Sequence, residues 1–378
     1  MHPRSSLFAA LVVSTLIASG GKAEAAAAVL STTGEAPGTA SASDAGTVYA
    51  LSNDPAGNAV VAFARAPDGT LAPAGSFSTG GTGTGAGLGS QGALTFSRDG
   101  RWALAVNAGS DDVSIFAVSD SGSLRLVDRA PSGGDMPISV TVSNGLVFVV
   151  NAGVPNSVTG LRIGQDGDLH PIPSSTRPLS AADSAPAEIA FDPGGDFLVV
   201  TEKSTNRLSV YAVGEGGDLD GPRVVESSGQ TPFGFAFTRR GLLVVSEAGG
   251  STVSSYRLSD DVLDVVTASA PNFQSAACWI AITGDGRFAY SANTGADDIS
   301  AFAIAPDGTL ALLEASGVAA SAGDAPADLA MSRGSGYLYV RNGRDGSISG
   351  YAVQSDGALE QVELVRGLPA GSAGLAAR

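Results

Sequence analysis

SRDGRWALAVNAGSDDVSIFAVSDSGSL at residues 97–124 and TGDGRFAYSANTGADDISAFAIAPDGTL at residues 283–310 are two copies of one unit, and how that unit reads decides the fold. Each copy opens on a Gly-containing turn, enters a short strand ending in Asn107 or Asn293, crosses a polar loop, and reaches an aromatic, Phe116 or Phe302. A second Gly turn then leads to Leu124 or Leu310. The Leu recurs at Leu71, Leu169, Leu219, Leu263 and Leu359, at intervals of 44 to 53 residues. Eight residues before it stand Phe63, Leu161, Tyr211 and Tyr351; Tyr256 precedes Leu263 by seven, a one-residue deletion in that turn. Repetition at this period signals a solenoid, propeller or array.

Working outward, each unit holds four strands. Asp68-Gly69, Asp166-Gly167, Asp307-Gly308 and Asp356-Gly357 tolerate the positive φ of tight hairpins. Strands such as Leu146-Val147-Phe148-Val149-Val150 and Phe197-Leu198-Val199-Val200-Thr201 are β-branched or aromatic and apolar on both faces. A sheet with one wet face alternates apolar and polar residues; these do not, so both faces must be covered. Face-to-face stacking of four-stranded sheets covers them, and units of ~40–50 residues fit propeller blades. No amphipathic helical period is present. The expected fold is all-β, a seven-bladed β-propeller over residues 44–378.

Counting strands also predicts how the ring closes. The first unit enters on Thr47 to Asn53, which matches a second strand, so its first strand is missing. Ser372 to Ala377 aligns with Pro326 to Met331, a first strand with no blade after it. The C-terminus is therefore expected to complete blade 1. Ala36 to Ser43 is the competing segment; it is less apolar.

The N-terminal residues carry a basic start (His2, Arg4), an apolar run from Leu7 to about Ala18 and an Ala23-Glu24-Ala25 site, which predict a secretory signal peptide over residues 1–25. Residues 26–43 are expected to be a flexible segment, and the protein to be periplasmic or secreted, without a membrane span. The formal charge of -16 becomes -17 once Arg4, Lys22 and Glu24 are removed. So acidic a chain, with no basic stripe, is not expected to bind nucleic acid. Cys278 is the single cysteine, so no intrachain disulfide can form, and His170 stands alone after the leader. No cofactor or metal and a monomeric state are expected.

With the first strand innermost, one end of the channel collects the loops entering the first strands and those leaving the second strands. At this end the second strands finish in Asn53, Asn107, Asn151, Asn293 and Asn342, a residue that often bonds its own turn backbone. Blades 4 and 5 put Glu202 and Glu247 there instead. Two carboxylates on adjacent blades can shift each other's pKa and form an acid/base couple, or stand as solvated loop charges. Glu188, Lys203, Trp279, Arg341 and Arg344 are the candidate ligand-binding residues, with the cations holding an anion. Trp279 and Cys278 also fit as core packing.

The units quoted above resemble those of the lactonase-type seven-bladed propellers, which include propeller 6-phosphogluconolactonases and carboxymuconate lactonising enzymes. The resemblance runs from about residue 44 to the end. It implies a His, two Arg and a Glu at the channel mouth. Glu202 matches the Glu; the Arg position holds Ala187, followed by Glu188; the His position lies in Pro137-Ile138-Ser139; Arg341 is a candidate by position. Because that set is incomplete, a binding platform for a small ligand or a protein at the channel mouth is the main expectation. A lactone hydrolase or cycloisomerase acting on a small carboxylated lactone is the alternative.

Overall fold

The computed structural model describes residues 45–369 and 371–378. The signal-peptide reading, the 26–43 segment and the Ala36 to Ser43 alternative lie outside the described residues. Seven antiparallel sheets follow one another, each ordered from an inner first strand to an outer fourth. Blade 4 is representative: Pro186–Phe191, Phe197–Glu202, Arg207–Val213 and Leu219–Glu226 pair in sequence. Blades 3 and 6 break the outer strand into two short pieces. The inner strands Leu94–Phe96, Pro137–Ser143, Pro186–Phe191, Pro232–Phe237, Ala277–Ile282, Pro326–Met331 and Ala373–Ala377 touch one another around the ring. Among the described residues, no helix is long and apolar enough to cross a membrane.

Ring closure is by the C-terminus. Ala373–Ala377 pairs antiparallel with Gly46–Leu51, with Ala377 opposite Val48 and Leu375 opposite Ala50. Arg378 N–H then donates to Thr47 O at 2.9 Å. The missing first strand of blade 1 is thus supplied from the far end of the chain.

Stacked sheets explain the two-faced apolar strands. Val199, Val210, Phe235, Leu243 and Val245 form one fully buried seam between blades 4 and 5. Tyrosines pin neighbouring blades through their turns: Tyr49 Oη donates to Gly122 O at 2.7 Å, Tyr290 Oη to Gly357 O at 2.9 Å, and Tyr339 Oη to Gly69 O at 2.7 Å. Gly69 has φ +87, and a Cβ there would stand 2.2 Å from the Tyr337 ring, so both backbone and packing require glycine.

Candidate functional site

In blades 2 to 7 the residue ending the second strand clasps the third strand, whereas Asn53 in blade 1 bonds Thr84 and Ala86 instead. Asn107 Nδ2 donates to Asp112 at 2.6 Å and Ser114 at 2.8 Å; Asn293 repeats this with Asp298 and Ser300, and Asn342 with Ser347 and Ser349. Glu202 and Glu247 occupy the same place with the polarity reversed. Glu202 accepts from the Ser180 N–H and hydroxyl and from the Thr205 and Ser209 hydroxyls. Glu247 accepts from Gly229 N–H at 2.8 Å and from the Thr252 and Ser254 hydroxyls, each at 2.6 Å. Both side chains are fully buried. This corrects the expected acid/base couple: the two carboxylates are consumed inside their own blades, where an acceptor clasp meets Ser and Thr donors.

The channel end expected to hold the site is closed. Residues 79–93, which connect blades 1 and 2, cross it. Ser90 Oγ donates to Ile138 O at 2.8 Å in blade 3, and Gln91 N–H donates to Ala187 O at 3.1 Å in blade 4. The Gln91 amide bonds Ile280 through both N–H and C=O and donates to Phe235 O, joining blades 5 and 6. Trp279 Nε1 donates to Ser90 O, and the indole meets Phe233 edge-on at 4.9 Å. Lys203 lies over the Phe233 ring and donates to Gly89 O at 2.7 Å; burial pushes its amine down to about 8. Trp279 and Lys203 therefore fasten this cover. Arg344 is far more exposed, paired with Asp324 at 2.6 Å.

Beneath the cover, a cavity of about 910 Å³ opens at the opposite end, where the turns between first and second strands lie. Gln91 and Glu188 line its inner end, Thr141, Phe191, Phe235 and Phe237 its walls, and Arg98, Arg101 and Arg239 its mouth. Of the seven candidates, Glu188 alone lines this space. It is 6% exposed; Oε2 accepts from Phe235 N–H at 2.6 Å, and Oε1 has no partner among the described residues. Burial, reinforced by the charge of Asp328, raises its carboxyl well above the ordinary range. Asp328 stands two residues after the Pro that opens the first strand of blade 7, as Glu188 does in blade 4. Burial raises it to about 7, against the pull of Arg341. Arg341, expected to bind a ligand anion, is instead 5% exposed and donates to Ala327 O. Asp328 Oδ2 and Arg341 Nε are buried without hydrogen-bond partners among the described residues.

Charge is sorted by radius on the open face. The inner turns carry Arg98, Arg101, Arg239, Arg240, Arg287 and Arg333 against Asp99, Asp192, Asp196 and Asp285. The outer turns, between third and fourth strands, carry acids alone, from Asp68 and Asp120 round to Asp307 and Asp356. A chain of charge -16 thus places six arginines against four aspartates around one opening. Low-dielectric walls focus such a field and raise the local concentration of anions. The sequence reading missed this ring and Gln91, although the Arg-bearing turns of SRDGR and TGDGR and the alternating glycines of residues 80–92 are visible in it.

A family model described as lactonase, seven-bladed β-propeller, matches residues 57–177, 154–262 and 261–373. No curated protein matches the sequence. Among solved structures, a putative 6-phosphogluconolactonase from Bacteroides fragilis is 20% identical with a TM-score of 0.71, covering 90% of this chain and 99% of its own. A second from Bacteroides uniformis is 19% identical at 0.70, covering 87% and 99%. The periplasmic gluconolactonase of Pseudomonas aeruginosa is 18% identical at 0.68, covering 88% and 98%. Matched in three overlapping stretches and folded as seven four-stranded blades, the chain belongs to the lactonase family of seven-bladed β-propellers.

Proposed function

We propose that the protein hydrolyses a small anionic lactone inside the channel cavity, and that it does so outside the cytoplasm. Family membership supports lactone opening over a purely binding platform, and the 1–25 leader supports export. The observation that carries the reading is Glu188, a buried carboxyl with one uncommitted oxygen at the inner end of the channel cavity.

Burial favours the protonated form of this carboxyl, the form that serves as a general acid. Water adds to the lactone carbonyl carbon, the ring C–O bond breaks, and the departing alkoxide takes the Glu188 proton. The proton lost by the attacking water restores the carboxyl. Thr141, whose oxygen accepts Phe191 N–H at 3.2 Å, keeps its O–H for a substrate oxygen. Arg98, Arg101 and Arg239 at the cavity mouth hold the substrate's anion.

Turnover of a lactone panel tests this. In Glu188→Gln, kcat is expected to fall by about 100-fold or more, the range of a lost acid/base group. Wild-type activity in that variant, or no lactone opened faster than in buffer, sinks the proposal.

A further inference from the structure

Two more clefts open on the same face as the cavity. One, of about 560 Å³ between blades 5 and 6, is lined by Arg240, Arg257 and Arg287; the other, of about 590 Å³ between blades 6 and 7, by Arg287 and Arg333. Each lies within the roughly 300–1,000 Å³ of small-ligand pockets. Arg239 lines both clefts and the cavity, so the three spaces are neighbours around one residue.

Three of these cations are free of ion pairs. Among the described residues Arg239, Arg240 and Arg333 make none, while Arg287 meets Asp285 at 3.8 Å and donates to Ser355 O at 2.7 Å. Several open arginines along a continuous groove suit a ligand with charges repeated along its length, whereas a single small anion needs one such point. Besides the Asp285 carboxylate beside Arg287, the groove's polar side chains include the hydroxyls of Thr238, Thr283, Ser335 and Ser355, which bond hydroxyl-rich ligands. Its aromatic, Phe288, is covered by the Arg287 guanidinium at 4.8 Å, so no ring face is offered to a nucleobase. Outside the groove, Asp260, Asp261, Asp307 and Asp356 rim the face. A duplex or an anionic membrane would bring its phosphates against that rim; a narrow chain lying in the inner ring avoids it.

We infer that this run of clefts binds a linear acidic oligosaccharide, a short chain of uronate sugars whose carboxylates meet successive guanidinium groups. Calorimetric titration of the full-length protein with trigalacturonate tests it, with maltotriose and a single-stranded oligonucleotide as comparison ligands. Trigalacturonate is expected to bind at least about ten-fold more tightly than either, and the double variant Arg287→Ala/Arg333→Ala to lose roughly ten-fold, with an unchanged melting temperature. Equal binding by the double variant, no binding at millimolar ligand, or equal binding of maltotriose or the oligonucleotide would overturn the inference. Glu188 is untouched by these substitutions, so this result stands or falls apart from lactone turnover.

Discussion

Glu202 and Glu247 show how one residue type changes meaning with its surroundings. At a channel mouth, two acids on adjacent blades would be chemistry; clasped by buried hydroxyls, they are joinery. Truncating Glu247 leaves several buried donors unpaired, so Glu247→Ala is expected to cost about 3–5 kcal/mol in urea unfolding. The Asn at the same place was legible as a turn residue, but its partner set was not, because those partners lie five and seven positions ahead on another strand. Asp328 carries a different signature. Its folded pKa, about 7, lies above the unfolded carboxyl value, so the stability it contributes is complete below about pH 4 and is lost as pH rises through 7. Asp328→Asn removes that dependence, on the order of 3–4 kcal/mol from the shift. Urea midpoints between pH 4 and 8 should therefore slope less in the variant than in wild type; parallel curves would refute the assignment.

Blades were readable because each is specified locally, by a Gly turn, a β-branched strand and a fixed Leu, and even the shortened turn before Leu263 was visible in the spacing. The cover over the channel was not, since residues 79–93 follow no repeat and their partners are scattered through blades 3 to 6. Apolar Phe233 and Trp279 stand at the end where the repeats put them, and there the indole holds the cover through Ser90 O. Gln91→Ala removes the amide that joins blades 5 and 6, and is expected to lower the melting temperature. Removing residues 368–378 takes away the inner strand of blade 1 and should lower it much further; an unchanged melt would contradict the closure.

For the molecule as a whole, net charge misleads about the working surface. A total of -16 suggested repulsion of anions, yet the radial sorting of charge leaves a cationic opening inside an acidic border. Composition sums over that pattern and cannot show it; only the placement of inner and outer turns does. Screening should expose it: the KM for an anionic lactone is expected to rise with ionic strength while kcat holds, and Arg98→Ala/Arg239→Ala should raise KM about ten-fold. A salt-independent KM would refute a role for the ring.

The pairing of Ala377 with Val48 also sets a clock. The chain's first strand waits, one edge bare, until residues 373–377 have been made. Blades 2 to 7 are each built from consecutive strands, so only blade 1 depends on so distant a partner. Among the described strand pairs this one joins the residues farthest apart along the chain, so it is the slowest contact to form and the one that locks the ring.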